Sequence, residues 1–128
     1  MKRICMMLMV VSLVGAAGVG LANGAQAGEC GDKGQTPCPL QGWMEKNVQI
    51  PMEKTEWDKV AASLGKVAGY APDPAWNKGD KGWETTAKAG IAAAKAKDLK
   101  ALKKTCKSCH KSFRKNYKAK FRMRPPPK

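Results

Sequence analysis

Between Leu99 and Phe121 the residues Leu99, Leu102, Cys106, Cys109, Phe113, Tyr117 and Phe121 recur in steps of three and four. That is the period of one helix face, and no other stretch of the chain keeps it so long. Such a segment is expected to fold as a long amphipathic helix whose stripe is buried against other elements. Lys and Arg fill its other faces, and Asp98 stands where an N-cap is needed. Arg124-Pro125-Pro126-Pro127-Lys128 ends the helix, because proline cannot continue it, and is expected to form a stiff exposed tail.

The stripe carries Cys106-Lys107-Ser108-Cys109-His110. Cys-x-x-Cys-His is the spacing at which a helix attaches a c-type haem. Each cysteine sulfur takes one vinyl group of the macrocycle as a thioether, and the histidine supplies an axial nitrogen to the iron. Positions i, i+3 and i+4 share one helix face, so Cys106, Cys109 and His110 can meet one flat ligand from one side. His110 is the only histidine in the chain. A redox dithiol of the thioredoxin type would need strand–helix alternation around the motif, and a zinc site would need further Cys or His nearby. Neither is found in the sequence.

The N-terminal residues give the expected compartment. Lys2 and Arg3 precede an apolar run from Ile4 to Val14 and small residues to Ala22, and Ala25-Gln26-Ala27 has the form of a cleavage site. Residues 1–27 therefore read as a secretory signal, residues 28–128 as one domain, and the periplasm as the destination. Cleavage would leave 101 of the 128 residues, with no transmembrane segment. It would also remove Cys5, leaving Cys30 and Cys38 as the pair not assigned to haem. In an oxidising compartment these two are expected to form a disulfide. Without Lys2 and Arg3, 22 basic residues remain of 24, against 10 acidic ones, a formal +12. Such a field favours encounter with acidic surfaces, and for an exported protein an acidic redox protein is the expected partner rather than nucleic acid. Lys104, Lys107 and Lys111 flank the motif and are the expected contributors.

Three more helices are expected before the last. Pro39 suits a first turn, Leu40, Trp43, Met44 and Val48 follow at helical spacing, Asn47 can end the helix, and Pro51 breaks it. Thr55, with Asp58 in a capping-box-like position, is the expected N-cap of the second helix, whose stripe is Trp57, Val60, Ala61, Leu64 and Val67, closed by Gly69. Residues 70–79 read as a loop. Asp80 is the expected cap of the third helix, with Trp83, Ala87, Ile91 and Ala94 on one face. Gly90 weakens that helix by about 1 kcal/mol relative to Ala, unless it permits a close approach to a neighbour or to haem. No segment reads as a strand. The fold expected is all-α, an antiparallel four-helix bundle with a shortened first helix and the haem on the C-terminal helix.

With the motif on its last helix, the chain resembles the class II c-type cytochromes, the cytochrome c′ group. The resemblance runs from the Asp98 cap through Leu99, Leu102 and Cys106-Lys107-Ser108-Cys109-His110 to Phe113 and Arg114, an aromatic and an arginine at offsets common in that family. Over the earlier helices it continues only as pattern. It implies a four-helix bundle with haem near one end, Phe113 and Arg114 in the haem pocket, and a dimer formed through the first two helices. The chain departs from the family in its short first helix and in Cys30 and Cys38. Class I cytochromes c place a methionine ligand well downstream of the motif. Here Met123 lies thirteen residues beyond His110 on the same helix, about 20 Å along the axis, and cannot reach the opposite haem face.

The sixth iron position separates two functions. A methionine there stabilises the ferrous state and makes an electron carrier. An open position makes a five-coordinate haem that binds nitric oxide or carbon monoxide, as cytochromes c′ do. In low-spin class II cytochromes the ligand methionine lies on the first helix in a Gln-x-x-Met setting, which the resemblance matches to Gln41 and Met44, with Trp43 and Leu40 beside it to exclude water. Met52 is the other candidate, and core packing is the alternative role for Met44. No paired carboxylates or nucleophile–base pattern point to an enzyme.

Overall fold

The computed structural model describes residues 30–128. The export segment read over residues 1–27, its cleavage site and Cys5 lie outside the described residues. Within them the chain is helical and contains no strand. Helices α1 (Pro39–Met44) and α2 (Ile50–Glu53) are joined through a π turn (Glu45–Gln49) into one continuous rod. It is followed by α3 (Trp57–Ala68), a 3-10 turn (Pro74–Asn77), α4 (Trp83–Lys95) and α5 (Leu99–Lys120).

The first rod is longer than its sequence suggests. Asn47 does not end it, because the Asn47 side-chain amide donates to the Trp43 carbonyl at 2.9 Å inside the helix. Pro51 does not break it either. The widened turn, closed by Ile50 N–H to the Glu45 carbonyl, shifts the hydrogen-bond register just before Pro51, at a position where a proline N–H is not needed. The rod begins at the Cys30–Cys38 disulfide, which the structure contains as expected. Both cysteines are buried. Gly31 beside them has φ +79°, and a Cβ there would stand 2.8 Å from Cys38 Sγ, so only glycine fits the bridge.

Thr55 does not cap α3. It sits in the left-handed region at φ 56° and closes the first rod. Thr55 N–H donates to Met52 and Glu56 N–H to Pro51, the paired bonds of a Schellman ending. Glu56 occupies the N-cap position of α3 without a side-chain cap bond. Lys97, at φ 55°, ends α4 in the same way. Asp98 follows it at once and caps α5, its Oδ1 accepting the Ala101 N–H at 2.9 Å. Asp80 does not cap α4, whose N-cap position is Gly82. Asn77 does the work from the preceding turn, its Oδ1 accepting the Glu84 N–H at 3.2 Å.

Val60, Ala61, Leu64 and Val67 of α3 and Trp83, Ala87 and Ala94 of α4 are buried on the faces expected of them, and Ile91 is half-buried. Gly90 serves packing against neighbours. A Cβ there would lie 3.1 Å from Leu64 and 3.5 Å from Thr105, so α4 lies close to both α3 and α5. Two apolar clusters result. One gathers Val48, Val60, Leu64 and Ala94 around the fully buried Leu102, and the other gathers Val67, Tyr70, Trp83 and Tyr117. Full burial of a side chain such as Leu102 contributes about 1.5–3 kcal/mol.

The last helix ends at Lys120, one turn before the prolines, and the tail after it is not free. Arg124 lies 4.2 Å over the Tyr70 ring and its Nη1 donates to the Tyr70 carbonyl at 3.2 Å. The Tyr70 hydroxyl donates to the Pro125 carbonyl. A buried phenol needs such a partner, and the returning tail supplies it. Leu99, expected on the buried stripe, is 40% exposed, whereas Leu102 one turn on is fully buried.

Candidate functional site

Cys106, Cys109 and His110 sit in the middle of α5. The two thiols are free and half-buried, and His110 is exposed. The helix is held in place on either side of them. Before the motif, Leu102 is fully buried and the Thr105 hydroxyl donates to the Ala101 carbonyl at 3.0 Å. After it, Phe113 stacks on Trp76 at 5.2 Å and meets Trp83 edge-on at 5.4 Å. Cys106 packs against the Leu102 cluster and Phe113, three residues past the motif, against the Tyr117 cluster, so α5 crosses from one cluster to the other between these two residues.

The first rod reaches the seam between the same two clusters. Trp43 and Met44 are half-buried and each packs against both clusters. Leu40 joins the Tyr117 cluster, and Met52 packs only against the Leu102 cluster. The helices themselves stay apart here. Among the described elements, α5 brings its Cα atoms within 8 Å of α4 alone, not of the first rod or α3. Directly packed helices run with axes 8–10 Å apart. The flank of α5 facing the first rod is therefore bridged by side chains rather than by close backbone packing.

The surroundings of the motif shift all three groups toward their neutral forms. Burial pushes the Cys106 thiol up. Burial, then the neighbouring Cys106, push Cys109 up to about 11. Thioredoxin-like dithiols have the opposite shift, because their reactivity needs a thiolate near neutral pH. His110 is exposed at the surface, but protein atoms on its helix-facing side desolvate the ring in part, and this, then the Arg114 charge, hold the imidazole below its ordinary value. A neutral imidazole keeps a nitrogen lone pair for a metal. Among the described residues no three His, Cys, Asp or Glu side chains are grouped as a metal cage. A site built from this motif thus offers one metal ligand, His110, with two thiols beside it.

Arg114 is exposed on α5, one turn past His110. Met123 is 52% exposed, and its Sδ lies 3.6 Å from Cys30 Sγ, a sulfur–sulfur contact at the disulfide. Sequence reasoning did not single out Trp76, which the 3-10 turn brings onto Phe113. Asp73, whose Oδ1 accepts the Ala75 N–H at 2.8 Å, caps that turn. An Asp-Pro pair opening a Trp-bearing loop was the available signal.

The lysines of the motif continue into a wider basic surface. From Leu99 to Lys120, α5 carries nine basic residues and no acidic one. No family model, no curated protein and no solved structure matches the chain.

Proposed function

We propose that this chain is an exported c-type cytochrome of the class II kind, an antiparallel bundle carrying one covalent haem and serving as a soluble electron carrier. The observation that supports the reading is the Cys-x-x-Cys-His spacing within the regular helix α5, which sets Cys106, Cys109 and His110 on neighbouring turns of a helix that does not approach the first rod closely. The residues present fit a haem there. Two free thiols and an imidazole stand at i, i+3 and i+4 of one helix, and the first rod brings the apolar Leu40 and Trp43 and the Met44 thioether to the two apolar clusters. Cys106 and Cys109 would hold the group covalently and His110 would ligate the iron. Bound there, haem supplies one-electron oxidation and reduction.

The chain's own residues would set the environment. Met44, reaching the seam from the first rod, is the candidate sixth ligand. Trp43 and Leu40 beside it would exclude water, and Phe113, fixed by Trp76 and Trp83, would wall the pocket. Arg114, one turn past His110, would stand at the rim of that pocket. The Cys30–Cys38 bridge anchors the start of the rod that bears Met44. The periplasm is the proposed location and an acidic redox protein the proposed partner.

A second reading follows from Met44 itself. Its side chain already packs against both clusters, which is what a core methionine does. If it stays so engaged, the iron is five-coordinate and the protein binds nitric oxide or carbon monoxide. An absorption spectrum of the purified protein in both oxidation states tests both. Covalent low-spin haem with a sulfur–iron band is the expected result. High-spin haem moves the function to gas binding, and a protein exported without haem removes the cytochrome reading.

A further inference from the structure

The surface of α5 ahead of the motif has no role in holding a haem. Leu99, Lys100, Lys103, Lys104 and Lys107 line an open groove of about 650 Å³ along the first turns of the helix. All five side chains are exposed. Among the described residues no acidic group pairs with any of the four lysines, whereas Lys118 at the other end of the helix is held by Asp32 at 3.0 Å. The spacings i, i+3 and i+4 bring these like charges next to one another, an arrangement that disfavours the helix. Four lysines without an acidic partner thus share one groove on one length of helix, and stability alone does not account for it.

We propose that this groove is the docking face for an acidic protein, whose carboxylates pair with Lys100, Lys103, Lys104 and Lys107. The partner's being a redox protein rests on the cytochrome reading; its being acidic does not. Charge complementarity requires an anionic occupant. A membrane surface fits less well, because an interfacial helix inserts a broad apolar face. Leu99 is the only large apolar side chain of α5 that is exposed. Nucleic acid fits less well too, since single strands stack on exposed aromatics and Phe113, Tyr117 and Phe121 are turned into the aromatic cluster. An exposed leucine amid lysines matches the apolar centre and polar rim of a protein interface.

The test uses the mature protein and poly-L-glutamate as probe, titrated calorimetrically at about 0.1 M ionic strength, where the Debye length is about 10 Å. Changing Lys100, Lys103, Lys104 and Lys107 together to Gln is expected to weaken binding about tenfold or more, as four exposed pairs are lost. A control variant with Lys46, Lys66, Lys78 and Lys95 changed to Gln has the same net charge. It is expected to stay within about twofold of the wild type, since charges outside the interface are screened. Equal losses in the two variants would mean that net charge alone attracts the probe, and would overturn the groove. So would tight binding to vesicles of one part phosphatidylglycerol to three parts phosphatidylcholine without binding to poly-L-glutamate. The haem spectrum of the same samples separates the two ideas. A haem-free protein that still discriminates keeps the groove and loses the cytochrome, and a haem-loaded protein that does not discriminate does the reverse.

Discussion

Asp32 and Lys118, 86 positions apart, meet at 3.0 Å and tie the disulfide loop to the C-terminal turns of α5. Arg122 approaches the same carboxylate at 3.8 Å. The first rod and α5 do not pack backbone to backbone, so this clasp, with the Met123–Cys30 contact, joins them at one end of the seam. The hydrogen bond from Lys118 and its charge hold the Asp32 carboxyl below its ordinary value. A depressed folded value stabilises the protein above the unfolded value of about 3.9. That contribution is lost as pH falls through the lower folded value. Thermal melts of wild type and Asp32→Asn should therefore differ at pH 6, and the difference should shrink progressively on acidification below the unfolded value. A constant gap across that range would show that the carboxylate's charge is not what matters.

Thr55 holds a left-handed conformation that costs a β-branched residue about 1–2 kcal/mol. Glycine relieves this but gives the unfolded chain more freedom. Thr55→Gly is expected to stabilise the protein by about 0.5–1 kcal/mol, and Thr55→Val to destabilise it. Denaturant midpoints at constant slope measure both.

Cys106→Ser with Cys109→Ser should abolish covalent haem. Wild-type protein is expected to keep its haem through acid–acetone extraction, because thioethers survive it, whereas the double variant should release whatever haem it holds. Extraction of haem from the wild type contradicts the attachment.

Met44→Ala should convert the iron to high spin, lower the potential and open a site for carbon monoxide. Because Met44 is only half-buried, the loss of packing should cost about 1–2 kcal/mol, below the usual range for a core methionine. A wild-type protein that already binds carbon monoxide rapidly would make Met44 a packing residue.

Much of the fold was legible in the chain alone because its signals are local. The stripe from Leu102 to Tyr117, the Asp98 cap, the closing Gly69 and the left-over pair Cys30 and Cys38 each follow from neighbours within a few residues, or from counting. The Cys106–His110 motif is likewise complete within one helical turn and a half. Tertiary structure decided whatever depends on partners distant in sequence. Pro51 stays inside a helix because a π turn resets the register before it, and Thr55 turns left-handed where the rod stops, two residues before α3 begins. Asn77 displaces Asp80 as the cap because the 3-10 turn carries it to α4, and the prolines fold back because the buried Tyr70 hydroxyl needs an acceptor 55 residues away. The seam between the first rod and α5 belongs to this second kind. Periodicity tells which side of each helix is buried, but the spacing between two helices is set by the side chains gathered between them, here the two clusters to which the first rod brings Trp43 and Met44 and α5 brings Cys106 and Phe113.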